Sequence, residues 1–274
     1  MGHSVARMPV IDLSLIGIGT GSPEHLTLQA IGALKRADLI LLPRKGADKA
    51  DLAALRHTIC DAHVGPPTQV VEFDMPVRNA GTAAYLDGVN DWHDAIAVQW
   101  AQRIAIHCPE GGRVALMVWG DPSLYDSSLR IADRLRTGGL ALRIEVVPGL
   151  TSLQLLTAVH TIPLNTLGAP VLITTGRQLR EKAWPAGVDT VVVMLDGASA
   201  FQALAPEELT IYWAAYLGMP QQLLLAGPLA STGPRILEVR AAARAEHGWI
   251  MDIYLLRRDV VRLSTLQAFD RHDI

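Results

Sequence analysis

Short apolar runs rich in Val, Ile and Leu recur along the chain. Most end in glycine or proline and give way to a helical pattern. Residues 10–18, 38–42, 69–73, 113–119 and 142–147 have the length and β-branched content of buried strands. Between them, Leu28, Ile31 and Leu34 are spaced as one helical face over residues 27–37. Leu52, Leu55 and Ile59 do the same over residues 49–62. Trp92, Ile96, Trp100 and Ile104 repeat every fourth residue within a long stretch at 82–107, and a further helix is predicted at 124–136. Strand alternating with helix predicts a mostly parallel sheet covered on both faces.

Pro148-Gly149 breaks that rhythm. A helix is expected at 151–159, strands at 171–175, 190–195, 209–214 and 249–256, and helices at 220–225 and 235–246. Pro163 and Pro170 mark the crossing between halves. The pattern predicts two α/β domains, residues 1–150 and 151–258, with a charged tail at 259–274.

Composition narrows the function. A chain of 274 residues, 50% hydrophobic and 19% charged, can bury two cores of ordinary size. Lysine and arginine number 24 against 27 acidic residues, a net charge of −3 that excludes a generally basic nucleic-acid binder. Cys60 and Cys108 are too far apart for a zinc ribbon and too few for a disulfide scaffold. No apolar run reaches the ~20 residues of a membrane span. Residues 1–8 lack a following secretory core, so a cytoplasmic location is expected. The nine histidines show no H-x-x-x-H pair, and no metal site is expected. His25, His57, His93 and His160 read as solvated or capping residues.

Three strings remain, each at the carboxyl end of an expected strand. Gly17-Ile18-Gly19-Thr20-Gly21 lets backbone approach a ligand closely, but Ser22 breaks the dinucleotide pattern and no Walker lysine follows. Trp119-Gly120-Asp121-Pro122-Ser123-Leu124-Tyr125 places a carboxylate after a buried strand, where Asp121 can cap the next helix or hold a ligand. Val147-Pro148-Gly149-Leu150-Thr151-Ser152 turns sharply into a helix start whose hydroxyls and N–H groups can cap that helix or take a carboxylate. Open α/β sheets bind small molecules at such strand ends.

Together these strings resemble the tetrapyrrole methylase family, and the resemblance runs from about residue 10 to residue 258. It includes Met194-Leu195, Ala214-Ala215-Tyr216-Leu217-Gly218-Met219-Pro220-Gln221-Gln222 and Ala226-Gly227-Pro228-Leu229. Further strings resemble the branch that methylates precorrin-5 at C-1 and releases acetate. These are Ile162-Pro163-Leu164-Asn165, Ile173-Thr174-Thr175-Gly176-Arg177, Met194-Leu195-Asp196-Gly197, Ile211-Tyr212-Trp213 and Gly248-Trp249-Ile250-Met251-Asp252. The last two replace the generic family pattern. Thr20 stands where most relatives carry proline, which is delayed here to Pro23.

The resemblance implies two α/β domains with a cofactor cleft between them, a homodimer, S-adenosylmethionine as methyl donor and S-adenosylhomocysteine as product. It implies cofactor contacts at Thr20, Trp119, Gly120, Asp121, Leu124, Thr151 and Ser152, and around the adenosine at Met194, Leu195, Ala215 and Tyr216. Asp121 and Tyr125, beside the cofactor loop, are the catalytic candidates for acetate loss. Arg44 and Arg177, with Lys45 and Arg180 beside them, follow strand ends. Their guanidinium groups could pair with the carboxylates of a precorrin-type substrate. A methylase for another precorrin carbon, a nicotinamide-dependent dehydrogenase and a catalytically silent tetrapyrrole-binding protein remain as alternatives.

Overall fold

In a computed structural model, residues 9–44, 50–77 and 85–258 are described. Lys45 and the tail from Asp259 lie outside them. The chain divides into two compact units, Met1–Thr151 and Ser152–Ile274.

The first unit is built on five strands: β1 (Ile11–Gly17), β2 (Leu39–Arg44), β3 (Gln69–Asp74), β4 (Gly112–Val118) and β5 (Leu142–Val147). They lie in the order β3-β2-β4-β1-β5, and every pairing is parallel. Side chains alternate between faces along a strand, and here both faces are apolar. Leu13, Leu15, Val114 and Leu116 join one core with Ile96, Trp100, Ile104, Ile131 and Leu135. These come from α3 (Tyr85–His107) and α4 (Ser128–Thr137). Ile16, Ile40, Ala115 and Met117 join the other core with Ala30, Leu34 and Ile59, from α1 (Leu28–Arg36) and α2 (Ala50–His63). Adjacent strands β1 and β4 therefore feed helices on opposite faces. In an open sheet, the carboxyl ends of two such strands are where small molecules bind.

The second unit has a mixed sheet of β6 (Val171–Thr175), β7 (Thr190–Met194), β8 (Leu209–Ala215), β9 (Leu223–Pro228) and β10 (Asp252–Arg258). Their order is β6-β7-β10-β8-β9. Only β6 and β7 pair in parallel; β10 runs against both β7 and β8, and β9 against β8. The carboxyl ends of β6, β7 and β8 thus share one end of the sheet with the start of β10. Helices α5 (Ser152–His160), α6 (Gly176–Lys182) and α7 (Leu229–His247) pack against it.

Three expectations need correction. Residues 220–225 were expected to be helical, but Leu223–Pro228 forms an edge strand paired with β8. Pro220 and three leucines mimic a helix start, yet Gly218 at φ +79 and the Gln222 side chain on the Gly218 N–H (2.9 Å) make a tight turn instead. Helix α4 starts at Ser128 rather than 124. Tyr125 at φ +50 breaks the helical path, and the Asp126 carboxylate accepts the Ser128 N–H at 2.6 Å. His93 is buried rather than solvated. Its ring tilts over Trp92, neither nitrogen has a hydrogen-bond partner, and burial, then Arg134 and Arg130, lower its pKa. No helix among the described residues is long and apolar enough to cross a membrane.

Candidate active site

Strand order brings the three glycine-bearing strings together, because β4, β1 and β5 are neighbours. Gly19 and Gly120 bridge the first two strings: the Gly120 N–H donates to the Gly19 carbonyl at 2.8 Å, and the Gly19 N–H to the Gly120 carbonyl at 3.3 Å. The third string closes on both. A Cβ on Gly17 would stand 2.6 Å from the Gly149 nitrogen and 2.7 Å from the Gly120 oxygen, and one on Gly149 would collide with that oxygen and with Gly17. The glycines are needed here because three backbones pass at van der Waals distance.

Asp121 locks this junction. One carboxylate oxygen accepts the Gly149 N–H at 2.8 Å; the other accepts the Ser123 N–H at 2.8 Å and the Ser123 hydroxyl. Burial opposes its ionisation, but these hydrogen bonds prevail and hold the carboxyl below its ordinary value. The carboxylate is thus engaged by the chain itself, which makes Asp121 an organiser of the loops. Thr20 is buried beside Gly120. Tyr125 is 43% exposed in its left-handed conformation, and burial of its hydroxyl keeps it protonated beyond the usual tyrosine range. Leu124 lies in the same loop, its N–H donating to the Asp121 carbonyl at 3.3 Å. Thr151 ends this unit.

Two buried polar atoms beside the loops have no partner: Trp119 Nε1 and His25 Nδ1. Burial leads in lowering the His25 pKa, although Glu24 opposes it. The His25 side chain sits directly against Gly19. The sequence reads His25 as a solvated or capping residue; it is half-buried in the loop before α1, six residues after Gly19, and that position was the available signal. Orphaned polar atoms and a backbone cradle together fit a polar small molecule at these strand ends.

The second unit gathers the other expected contacts at one end of its sheet. Ser152 opens α5. Met194 ends β7 and Leu195 follows it, 67% exposed at φ +52. Ala215 ends β8, and its side chain and that of Tyr216 are buried. The Tyr216 hydroxyl donates to the Trp249 carbonyl at 2.5 Å and its N–H to the Met251 carbonyl at 3.0 Å, while its own carbonyl accepts the Met219 N–H at 2.9 Å. The two arginine candidates lie in different units. Arg44 already pairs through Nε and Nη2 with Asp74, at 2.9 and 3.1 Å, and through Nη1 with Glu72 at 3.3 Å. A substrate carboxylate would have to displace them. Arg177 is exposed near the start of α6. Among the described residues no group of three His, Cys, Asp or Glu side chains could hold a metal ion.

The family model for tetrapyrrole (corrin/porphyrin) methylases matches residues 12–232. The chain belongs to this family. As a tetrapyrrole methylase it is a methyltransferase, and its relatives follow the same line. A precorrin-6A synthase [deacetylating] from Sinorhizobium sp is 50% identical over 246 residues, covering 89% of this chain and 94% of that protein. The crystal structure of a cobalamin synthesis related protein (CobF) from Corynebacterium diphtheriae superposes with a TM-score of 0.78 at 42% identity. That alignment covers 91% of this methylase and 99% of the CobF chain. A uroporphyrin-III C-methyltransferase from Thermus thermophilus, complexed with S-adenosylhomocysteine, shares the fold at 21% identity and a TM-score of 0.57, covering 92% of this chain and 94% of that one.

Proposed function

We propose that this methylase transfers a methyl group from S-adenosylmethionine to C-1 of precorrin-5 and releases acetate, giving precorrin-6A. The observation that carries this reading is the half-identity to the Sinorhizobium enzyme across nearly the full length of both proteins. We place it in the cytoplasm, on the composition read above, and take it as a homodimer, on the family resemblance.

When bound, S-adenosylmethionine supplies a methyl group already activated by its sulfonium. The chain has little acid–base work to do at that step; its task is alignment. The Gly17–Gly120–Gly149 junction sets three loop backbones together without intervening side chains beside the ligand, and Asp121 keeps the junction closed. Thr20, Leu124, Thr151 and Ser152 flank the strand ends, while Met194, Leu195, Ala215 and Tyr216 offer the apolar and backbone contacts suited to the adenosine.

Acetate loss requires water to add to the extruded acetyl carbonyl, after which the ring–acetyl bond breaks and its electron pair stays with the macrocycle. Tyr125 is suited to assist, since its protonated hydroxyl can donate to that carbonyl. Arg177, and Arg44 if released from Asp74, are the cations offered to substrate carboxylates.

The test uses purified protein with precorrin-5 and S-adenosylmethionine, read by product mass and acetate release. Stoichiometric acetate with a methylated product is expected. Methylation without acetate would move the reaction to another ring carbon. Tyr125→Phe should keep cofactor affinity while slowing acetate release by about 10²-fold; release at the wild-type rate would remove Tyr125 from that role.

A further inference from the structure

The strings that set this chain apart from the generic family pattern meet in one place in the second unit. Asp196 is buried, and its carboxylate collects four hydrogen bonds. Oδ1 accepts from the Ala198 N–H and Arg180 Nη1, both at 3.1 Å, while Oδ2 accepts from the Ala200 N–H at 2.5 Å and the Tyr254 hydroxyl at 2.6 Å. Its carbonyl accepts from Arg240 Nη2 at 3.1 Å. Arg240 Nε in turn donates to Asp252 at 2.9 Å, and Asp252 also accepts from Trp213 Nε1 at 2.9 Å. Gly176 makes room, since a Cβ there would overlap the Asp196 carboxylate. The knot therefore ties the segment after β7 to α6, α7, β8 and β10.

The residue next to this knot is doubly costly. Leu195 holds φ +52, which leucine rarely adopts, and leaves an apolar side chain 67% exposed. Strain of this kind persists only where the surroundings over-determine it, and the anchored Asp196 supplies that determination. We propose that Asp196 is a positioning residue for the cofactor: it holds Leu195 out from the end of β7 as an apolar pad for the purine. The proposal rests on the reading that Leu195 contacts the adenosine, and it adds the device that sets the contact.

Leu195→Gly separates strain from contact. Glycine takes φ +52 without penalty, so the variant should melt at higher temperature yet bind S-adenosylhomocysteine about tenfold more weakly by calorimetry. Leu195→Ala should also weaken binding. Asp196→Asn should raise KM for S-adenosylmethionine about tenfold with kcat retained. Added to Leu195→Gly, it should cost little further affinity, because it acts through the same residue. Full affinity in a folded Asp196→Asn protein, or effects that add in full, would overturn the proposal while leaving the contact standing. Unchanged affinity in both Leu195 variants would overturn the underlying contact instead. Should Asp196→Asn fail to fold, Tyr254→Phe removes a single donor and should weaken binding about threefold; unchanged binding there would count against the proposal.

Discussion

Asp121 shows how a single side chain can tie two loops together. Its carboxylate spans 28 residues of sequence to reach the Gly149 N–H, and that bond joins the loop after β4 to the loop after β5. Asp121→Asn leaves one of these buried donors facing an amide nitrogen. The loss should be about 1–3 kcal/mol of stability, together with weaker S-adenosylhomocysteine binding. The folded carboxyl ionises below its ordinary value of 3.8. Its contribution is therefore complete well above that pH and disappears as pH falls through the lowered value. Urea unfolding of both proteins should show a constant difference near neutrality that shrinks below about pH 4; a difference unchanged at pH 3 would mean the carboxylate is not the stabilising group. The sequence offers Asp121 both as a cap and as a ligand. Its bond to the Ser123 N–H closes a local turn two residues on rather than the helix cap expected, because α4 begins only at Ser128. The Gly149 bond depends on β1 lying next to both β4 and β5, which spacing does not encode.

Elements were most legible where burial is two-sided or strictly periodic. Strands β2 and β4 read as continuous apolar runs because helices cover both faces. Helix α3 read as a stripe because Ile96, Trp100 and Ile104 all enter one core, with Trp92 packed at its edge. Trp100→Ala should accordingly cost about 3–5 kcal/mol. The measurement is denaturant unfolding, and a cost below 1 kcal/mol would show that the stripe is not the support of this face. Elements were least legible where a partner strand decides. The run Leu223-Leu224-Leu225 suits helix and strand equally, and pairing with β8 settles it. The segment 121–127 carries helix-compatible residues but is captured by Asp121 and Asp126 through side-chain bonds to nearby N–H groups.

At the scale of the whole molecule, the two sheets present their candidate contacts for different reasons. In the first unit the glycine loops meet because topology places β1 between β4 and β5. In the second a polar knot displays one strained residue. The order of the motifs along the chain raises the expectation of contacts in both halves; we propose that one half relies on closely packed backbone and the other on a strained residue. Hydrogen exchange can test the pair of them in the intact protein. S-adenosylhomocysteine at 100 times its Kd should stabilise the folded state by about 2.7 kcal/mol. Protection is expected at residues 17–21, 119–125 and 149–152 of the first unit, and independently at 194–196 and 215–216 of the second. Protection confined to the first unit would remove Leu195 and Tyr216 from the site. Stabilisation by NAD in place of S-adenosylhomocysteine would contradict the methyl-donor assignment. Because the segment at 194–196 is already pinned by Asp196, its exchange in the free protein should be slow for an exposed turn. The ligand should therefore add only a small further protection there, as it should at the Gly19, Gly120 and Gly149 amides, which the chain already engages.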